Sequence, residues 1–332
     1  MEQSIRFCTT EDGVRIAYAT SGRGFPVVRP GHWLTHLEHD VKSPVFLPLV
    51  SRLSERHMLV RYDPRGTGMS DRNVEEVTPE LWLKDLEAVV DALKLDRFAL
   101  LGMSQGGPAA IRYAVKHPER VSHLILYGSY ARGRRHRDDE EFTPAMEEAM
   151  CGLIRSGWGS DNDTYRELFS ARFVARSNRE HIRWLNELEA ISAAPAMAER
   201  YFRALGTIDV SDMLAKVTVP TLVLHCQGDR ATPIRYGREI AAGIAGARFV
   251  PMEGDNHVFL EGDVAYRTFF EEVEAFLGDK RQLVDKRSLR RGARNWRNLV
   301  SHVHHAVEPY YVIAAVASFV AASFSFLWAR LH

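Results

Sequence analysis

A serine stands between glycines in the pattern Gly102-Met103-Ser104-Gln105-Gly106. The apolar run Phe98 to Leu101 precedes this motif, and the helix-forming run Gln105 to Lys116 follows it. A strand, a sharp turn and a helix in this order expose a serine hydroxyl so that it can act as a nucleophile. Glycines on either side leave room for the tight turn. The pattern therefore predicts Ser104 as a catalytic nucleophile.

A serine nucleophile needs a base to accept its proton and an acid to orient that base. When the serine lies on a turn between a strand and a helix in this way, the acid and the base are both expected downstream, in the order Ser, Asp, His. Asp229 stands on a turn after the apolar run Thr221 to His225. His257 lies in the polar loop that follows the run Arg248 to Met252. We predict Asp229 as the acid and His257 as the base, and we rank Asp255, on the same loop as His257, below Asp229.

An acyl-transfer intermediate also needs two N–H donors for its oxyanion. The backbone of Gln105, directly after the nucleophile, is one predicted donor. The other is expected from the loop Arg29 to Trp33. We predict the Trp33 backbone, with one residue to either side left open.

Apolar runs alternate with helical patterns through the first 130 residues, which is typical of βαβ units. This alternation stops at residues 131–214, where charged, helix-like sequence predicts an inserted helical cap. We predict that residues 1–130 and 215–278 form the core, an eight-stranded, mostly parallel α/β sheet with helices on both faces. Most aromatic residues of the cap are expected in its core, with a minority at the substrate: Trp158, Phe169, Phe173, Trp184, Tyr201 and Phe202.

Four segments together resemble the α/β-hydrolase superfamily: Gly102–Gly106, Arg61–Asp71, Gly228-Asp229 and Asp255–His257. The resemblance covers about residues 5 to 278. Two more segments resemble hydrolase domains joined to bacterial cyclase or regulator modules: Trp33–Glu38 and Val121–Gly128. The resemblance implies the α/β-hydrolase fold, a triad of Ser104, Asp229 and His257, and no metal or organic cofactor. The glycine-rich turn 63–71 is expected to be structural.

The predicted function is hydrolysis of a carboxylic ester, lactone or thioester of a small or lipophilic substrate through an acyl-enzyme. Two alternatives stay open. One is a different reaction on the same triad, either C–C bond hydrolysis or cofactor-free haloperoxidation. The other is a non-catalytic, membrane-tethered sensor of a small ligand.

Composition limits the partners and the compartment. Lys plus Arg and Asp plus Glu number 43 each, so no net field attracts nucleic acid, and none is predicted as a partner. Three widely spaced cysteines argue against a disulfide framework. The first residues lack the apolar run of a secretory signal.

The C-terminal sequence carries a candidate membrane element. Residues 310–329 are twenty in number and contain no charge, about the length that crosses a hydrocarbon core. Eight basic residues and one acid lie between Lys280 and Arg297, a bias that favours the cytoplasmic side and anionic lipid. We predict a basic amphipathic linker helix at 279–308 and a single-pass anchor at 309–332, in the inner membrane with the hydrolase domain in the cytoplasm. The alternative is a helix docked on protein.

Overall fold

The computed structural model describes residues 2–32, 34–137, 143–160, 165, 172–175 and 178–278. One compact unit spans Met1–Gly278. The predicted linker at 279–308 and the predicted anchor at 309–332 both lie outside the described residues. Among the helices that are described, none is long and apolar enough to cross a bilayer.

The described strands form one sheet of eight strands. They are β1 (Gln3–Thr9), β2 (Arg15–Ser21), β3 (Phe25–Arg29), β4 (His57–Tyr62), β5 (Phe98–Met103), β6 (Val121–Tyr127), β7 (Thr221–Cys226) and β8 (Arg248–Met252). Their order across the sheet is β1-β2-β4-β3-β5-β6-β7-β8. β1 and β2 pair antiparallel, β2 pairs antiparallel with β4, and β3 to β8 are mutually parallel. The prediction of an eight-stranded, mostly parallel α/β sheet is confirmed.

The described helices connect these strands or follow the last of them. They are α1 (Leu37–Asp40), α2 (Leu47–Ser54), α3 (Pro79–Ala92), α4 (Gly106–Lys116), α5 (Pro144–Gly157), α6 (Arg179–Ser192), α7 (Pro195–Gly206), α8 (Ile234–Gly243) and α9 (Val264–Gly278). Two short 3-10 helices are Arg134–His136 and Ser211–Lys216.

Helices cover both faces of the sheet, which explains why its central strands are apolar throughout. Every residue of β5, β6 and β7 is buried, whereas β1 at the edge is partly exposed along its length. On one face, Leu86 of α3, Ile111 of α4 and Ile240 of α8 pack in one apolar cluster. On the other face, Val50 of α2 and Phe269 of α9 belong to a second cluster.

The helices α5, α6 and α7 lie between β6 and β7, within the segment predicted as the cap. The two ends of this segment run side by side at a neck, where Arg132 and Asp209 form an isolated antiparallel bridge. The Gly133 N–H donates to the Ile208 carbonyl at this point, over 2.6 Å. The cap therefore leaves and re-enters the core at one place.

The sequence pattern did not predict the short helix α1, which follows Pro30 and Gly31. Its first residue is held from outside the segment, since the Leu37 N–H donates to Asp63 Oδ2 over 3.2 Å. The Thr35 hydroxyl donates to the other oxygen of the same carboxylate, over 2.8 Å. A carboxylate that caps a helix from a distant loop leaves no local sequence signal, which is why the pattern missed it.

Candidate active site

Ser104 lies at the sharp turn between β5 and α4, with a φ of 50°. Non-glycine residues rarely adopt this left-handed conformation, so the surroundings must hold it. The Ser104 N–H donates to the Tyr127 carbonyl at the end of β6, over 2.9 Å. The Ser104 carbonyl accepts from the Gly107 N–H (3.0 Å) and from the Ser129 hydroxyl (2.9 Å). The strained turn places Ser104 on the wall of a cavity above the sheet.

Glycines around Ser104 allow the strand and the helix to approach closely. A Cβ atom at Gly102 would lie 2.7 Å from the Gly107 Cα, and one at Gly107 would lie 1.8 Å from the Ser129 Oγ. Both distances are shorter than ordinary van der Waals contact. Only glycine therefore fits at these two positions of the turn.

Asp229 and His257 form a buried hydrogen-bonded pair. The His257 Nδ1–H donates to Asp229 Oδ2 over 2.7 Å, and the Asp229 side chain is fully buried. The other carboxylate oxygen accepts from the Ala231 and Thr232 N–H groups, over 2.9 and 2.8 Å. Because the carboxylate can only accept from Nδ1, His257 keeps its Nε2 lone pair available as a base.

His257 is also fixed by its neighbours at the carboxyl end of β6. The Tyr127 hydroxyl donates to the His257 carbonyl over 2.8 Å. Gly128 follows at φ 54°, and a Cβ there would lie 3.2 Å from His257 Cε1. His257 and Ser104 line the same cavity. The structure thus brings the predicted base to the predicted acid and places both beside the nucleophile's cavity.

His225 is a site residue that the sequence reasoning missed. It is fully buried, and its Nε2 lies 3.7 Å from Asp229 Oδ2 while donating to the Thr232 carbonyl over 2.6 Å. Burial lowers the pKa of His225, so it stands as a neutral group behind the acid. Its only sequence signal is a polar residue inside an otherwise apolar strand.

The predicted oxyanion donors are partly described. Gln105 is buried at the start of α4 and lines the cavity with Ser104. Trp33 lies outside the described residues. Its neighbour His32 lines a smaller cavity shared with Ser104 and His257.

Arg29 fixes which ring nitrogen of His32 carries the proton. An Arg29 Nη2 N–H donates to His32 Nε2 over 2.5 Å, and an arginine always donates, so the proton of neutral His32 lies on Nδ1. Burial, with the Arg29 charge second, holds the pKa of His32 well below its usual range. His32 therefore faces the smaller cavity as a neutral ring.

The glycine-rich turn 63–71 braces the cap against the core. Its Gly68 N–H donates to the Ser192 carbonyl at the end of α6, over 2.7 Å. The Tyr201 hydroxyl of α7 donates to the Arg65 carbonyl over 2.5 Å. The Arg65 guanidinium is in turn held by buried Asp85, over 2.7 Å.

The cap aromatic residues fall into two groups. Trp158, Trp184 and Tyr201 are buried in the apolar cluster of the cap. Phe173 and Phe202 line the cavity above Ser104. Phe169 lies outside the described residues.

Residues 22–272 match the Alpha/beta hydrolase family. This match spans most of the chain and includes Ser104, Asp229 and His257. The chain therefore belongs to the alpha/beta hydrolase family and is an enzyme of the hydrolase type.

Three similar proteins illustrate the breadth of this family. The AB hydrolase superfamily protein YisY of Bacillus subtilis is 27% identical over 270 residues, which cover 81% of this chain and 94% of YisY. The 2-hydroxy-6-oxo-6-phenylhexa-2,4-dienoate hydrolase of Comamonas testosteroni is 29% identical over 168 residues, 49% of this chain and 57% of that protein. The solved structure of the esterase EaEST from Exiguobacterium antarcticum is 26% identical, with a TM-score of 0.70 and coverage of 81% of this chain and 98% of that one.

Proposed function

We propose that the chain hydrolyses a carboxylic ester, lactone or thioester through an acyl-enzyme on Ser104. The observation that carries the proposal is the Asp229–His257 hydrogen bond of 2.7 Å at the wall of the cavity that also contains Ser104. His257 Nε2 takes the hydroxyl proton as Ser104 Oγ bonds to the substrate carbonyl carbon. Asp229 stabilises the imidazolium that forms.

The oxyanion of this intermediate accepts the Gln105 N–H at the start of α4, where the helix dipole favours negative charge. His257 then passes its proton to the leaving alcohol or thiol, and the C–O or C–S bond breaks. In the second half of the reaction, His257 takes a proton from a water molecule while the water oxygen attacks the acyl carbon. The free acid leaves, and Ser104 recovers its proton.

A fluorophosphonate probe tests the nucleophile directly, because its phosphorus bonds to an activated serine oxygen and releases fluoride. We expect the full-length protein to be labelled and Ser104→Ala to remain unlabelled. Ser156→Ala, on the exposed side of α5, is the matched control and should label as fast as the parent. Absence of labelling in the parent, or equal labelling of Ser104→Ala, would contradict the proposal.

C–C bond hydrolysis on the same triad is the second candidate. The Comamonas testosteroni relative, a dienoate hydrolase, favours it, and water can attack a ketone carbonyl on the same residues. A substrate panel separates the two reactions. Turnover of vinylogous diketones with esters left intact would select this alternative, and the reverse result selects ester hydrolysis.

We also propose that residues 309–332 anchor the enzyme in the inner membrane, with 279–308 as a basic linker and the hydrolase domain in the cytoplasm. The uncharged stretch 310–329 and the basic cluster before it support this. Membrane fractionation of the full chain and of a chain ending at Gly278 tests it. We expect only the full chain in the membrane fraction; recovery of both in the soluble fraction would refute the anchor.

A further inference from the structure

The cavity above Ser104 is lined by an unusual number of cationic side chains. It has a volume of about 340 Å³ and contains Ser104 and His257 in its wall, a size that suits a small ligand. Among its described lining residues there are arginines but no aspartate or glutamate. The arginines are Arg134, Arg137, Arg172, Arg230 and Arg235.

The arginines of the run 132–137 divide between two environments. Arg132 pairs with Glu239 over 2.8 Å, and Arg135 pairs with Glu147 over 2.5 Å. Arg134 and Arg137 line the cavity instead. Within the short helix Arg134–His136, Arg134 therefore lines the cavity while its neighbour Arg135 pairs with a carboxylate.

Aromatic rings hold three of the cavity arginines in place. The Arg134 guanidinium lies 3.5 Å from the centre of the Phe202 ring. The Arg137 guanidinium lies 4.0 Å from the Tyr236 ring centre, and Arg235 lies 4.9 Å from the same ring. Cation–π contacts orient a guanidinium but leave its positive charge in full.

Three of these cations have no carboxylate partner in the part of the chain that is described. There, no carboxylate forms an ion pair with Arg137, Arg172 or Arg230. Burial lowers the pKa of Arg134 to about 10. Burial, followed by the Arg137 charge, lowers the pKa of Arg172. A desolvated cation beside another cation is stabilised when an anion binds between them.

We propose that the substrate carries an oxyanion group, a carboxylate or a phosphate, which the cavity arginines bind while the ester carbonyl reaches Ser104. Guanidinium groups suit this role because they bind such groups with paired N–H donors. The substrate class named here rests on the proposed ester hydrolysis.

The test compares two esters of equal chain length, the mono-4-nitrophenyl ester of adipic acid and 4-nitrophenyl hexanoate. We expect the full-length enzyme to prefer the anionic ester in kcat/KM. Arg137→Gln and Arg172→Gln should each lower kcat/KM for the anionic ester by about 10- to 100-fold, the range for a lost charged hydrogen bond. The neutral ester should change by no more than about twofold, since it makes no such bond.

Arg135→Gln is the matched control, because Arg135 carries the same charge two residues from Arg137 but pairs with Glu147 and does not line the cavity. It should leave the ratio of the two rates unchanged. Inhibition by adipate and by inorganic phosphate shows which oxyanion the site prefers. No preference for the anionic ester in the parent, or an equal loss for both esters in Arg137→Gln and Arg172→Gln, would overturn the inference.

Two readouts separate this inference from the proposed function. Fluorophosphonate labelling of each variant shows that its site is folded and that Ser104 is reactive. Calorimetric binding of adipate to Ser104→Ala measures the anion site without turnover. If the enzyme is labelled but hydrolyses anionic and neutral esters equally well, the anion site alone is refuted. If the enzyme is not labelled but binds adipate through Arg137, ester hydrolysis is refuted and the anion site is supported.

Discussion

His257 is held from three directions, so its ring has little freedom. Asp229 accepts from Nδ1 over 2.7 Å, and the Tyr127 hydroxyl binds its carbonyl over 2.8 Å. Gly128 lies against the ring, where even one added carbon would be 3.2 Å from Cε1. Catalysis by a base depends on its position to within fractions of an ångström.

Gly128→Ala should displace the imidazole and lower kcat/KM. Because a misplacement of about 1 Å can cost about 100-fold, a shift of a few tenths should cost on the order of tenfold. The left-handed backbone at this position adds about 1 kcal/mol of destabilisation. Ester turnover and the rate of fluorophosphonate labelling measure the effect.

Gly246→Ala is the control for backbone strain alone. Gly246 has a φ of 74°, and a Cβ there meets nothing within 4 Å. It should lose similar stability while keeping its labelling rate. If both variants labelled at the same rate, the contact with His257 would have no effect on the base.

Local sequence was sufficient to predict that Ser104, Asp229 and His257 lie together, because each follows a strand pattern that ends at the same sheet edge. It was not sufficient for His225 or for the Arg29–His32 pair. Their roles arise from contacts made only after folding, such as the 3.7 Å approach of His225 to Asp229. The oxyanion donor Trp33 stays a prediction.

At the scale of the elements, the turn 63–71 determines how the cap packs on the core. Tyr201 of α7 joins the turn through its hydroxyl, which donates to the Arg65 carbonyl over 2.5 Å, and its ring stacks on Trp82 at 5.2 Å. The cap also supplies Phe173 and Phe202 to the cavity. A loosened cap should therefore disturb substrate binding before it disturbs the triad.

Tyr201→Phe should lower the free energy of unfolding by about 1 kcal/mol through the lost hydrogen bond. It should also raise KM, because α7 carries part of the cavity wall, and leave kcat nearly unchanged. Urea denaturation and steady-state kinetics give the two values.

Tyr266→Phe removes a comparable hydroxyl, which donates to the Pro48 carbonyl over 3.2 Å on the far side of the sheet. It should cost similar stability with no change in KM. A KM that rises equally in both variants would show that the cap contact has no special effect on binding.

Strand positions were readily predicted from sequence, since the run Arg248 to Met252 coincides with β8 and the run Thr221 to His225 ends one residue before β7 does. The arginines that line the cavity above Ser104 were not predicted from sequence. The run Arg132 to Arg137 was interpreted only as a charged part of the cap. Which guanidinium groups turn inward depends on Glu147 and Glu239, which lie in other helices.

Over the whole molecule, equal numbers of positive and negative side chains conceal a strongly uneven arrangement. The chain has 43 of each, yet five arginines line one cavity. Net charge predicts long-range attraction between molecules. Net charge says nothing about a single small cavity, where a few fixed charges dominate.

The neck at Arg132 and Asp209 has a further consequence for how such an enzyme can change over evolutionary time. The two crossings of the chain lie side by side there, so everything between them can be exchanged for another segment without stretching the β6–β7 connection. Insertions whose ends lie close together are the kind that a host domain tolerates. The reactive serine and its partners could thus be inherited unchanged while substrate choice was replaced as a single module.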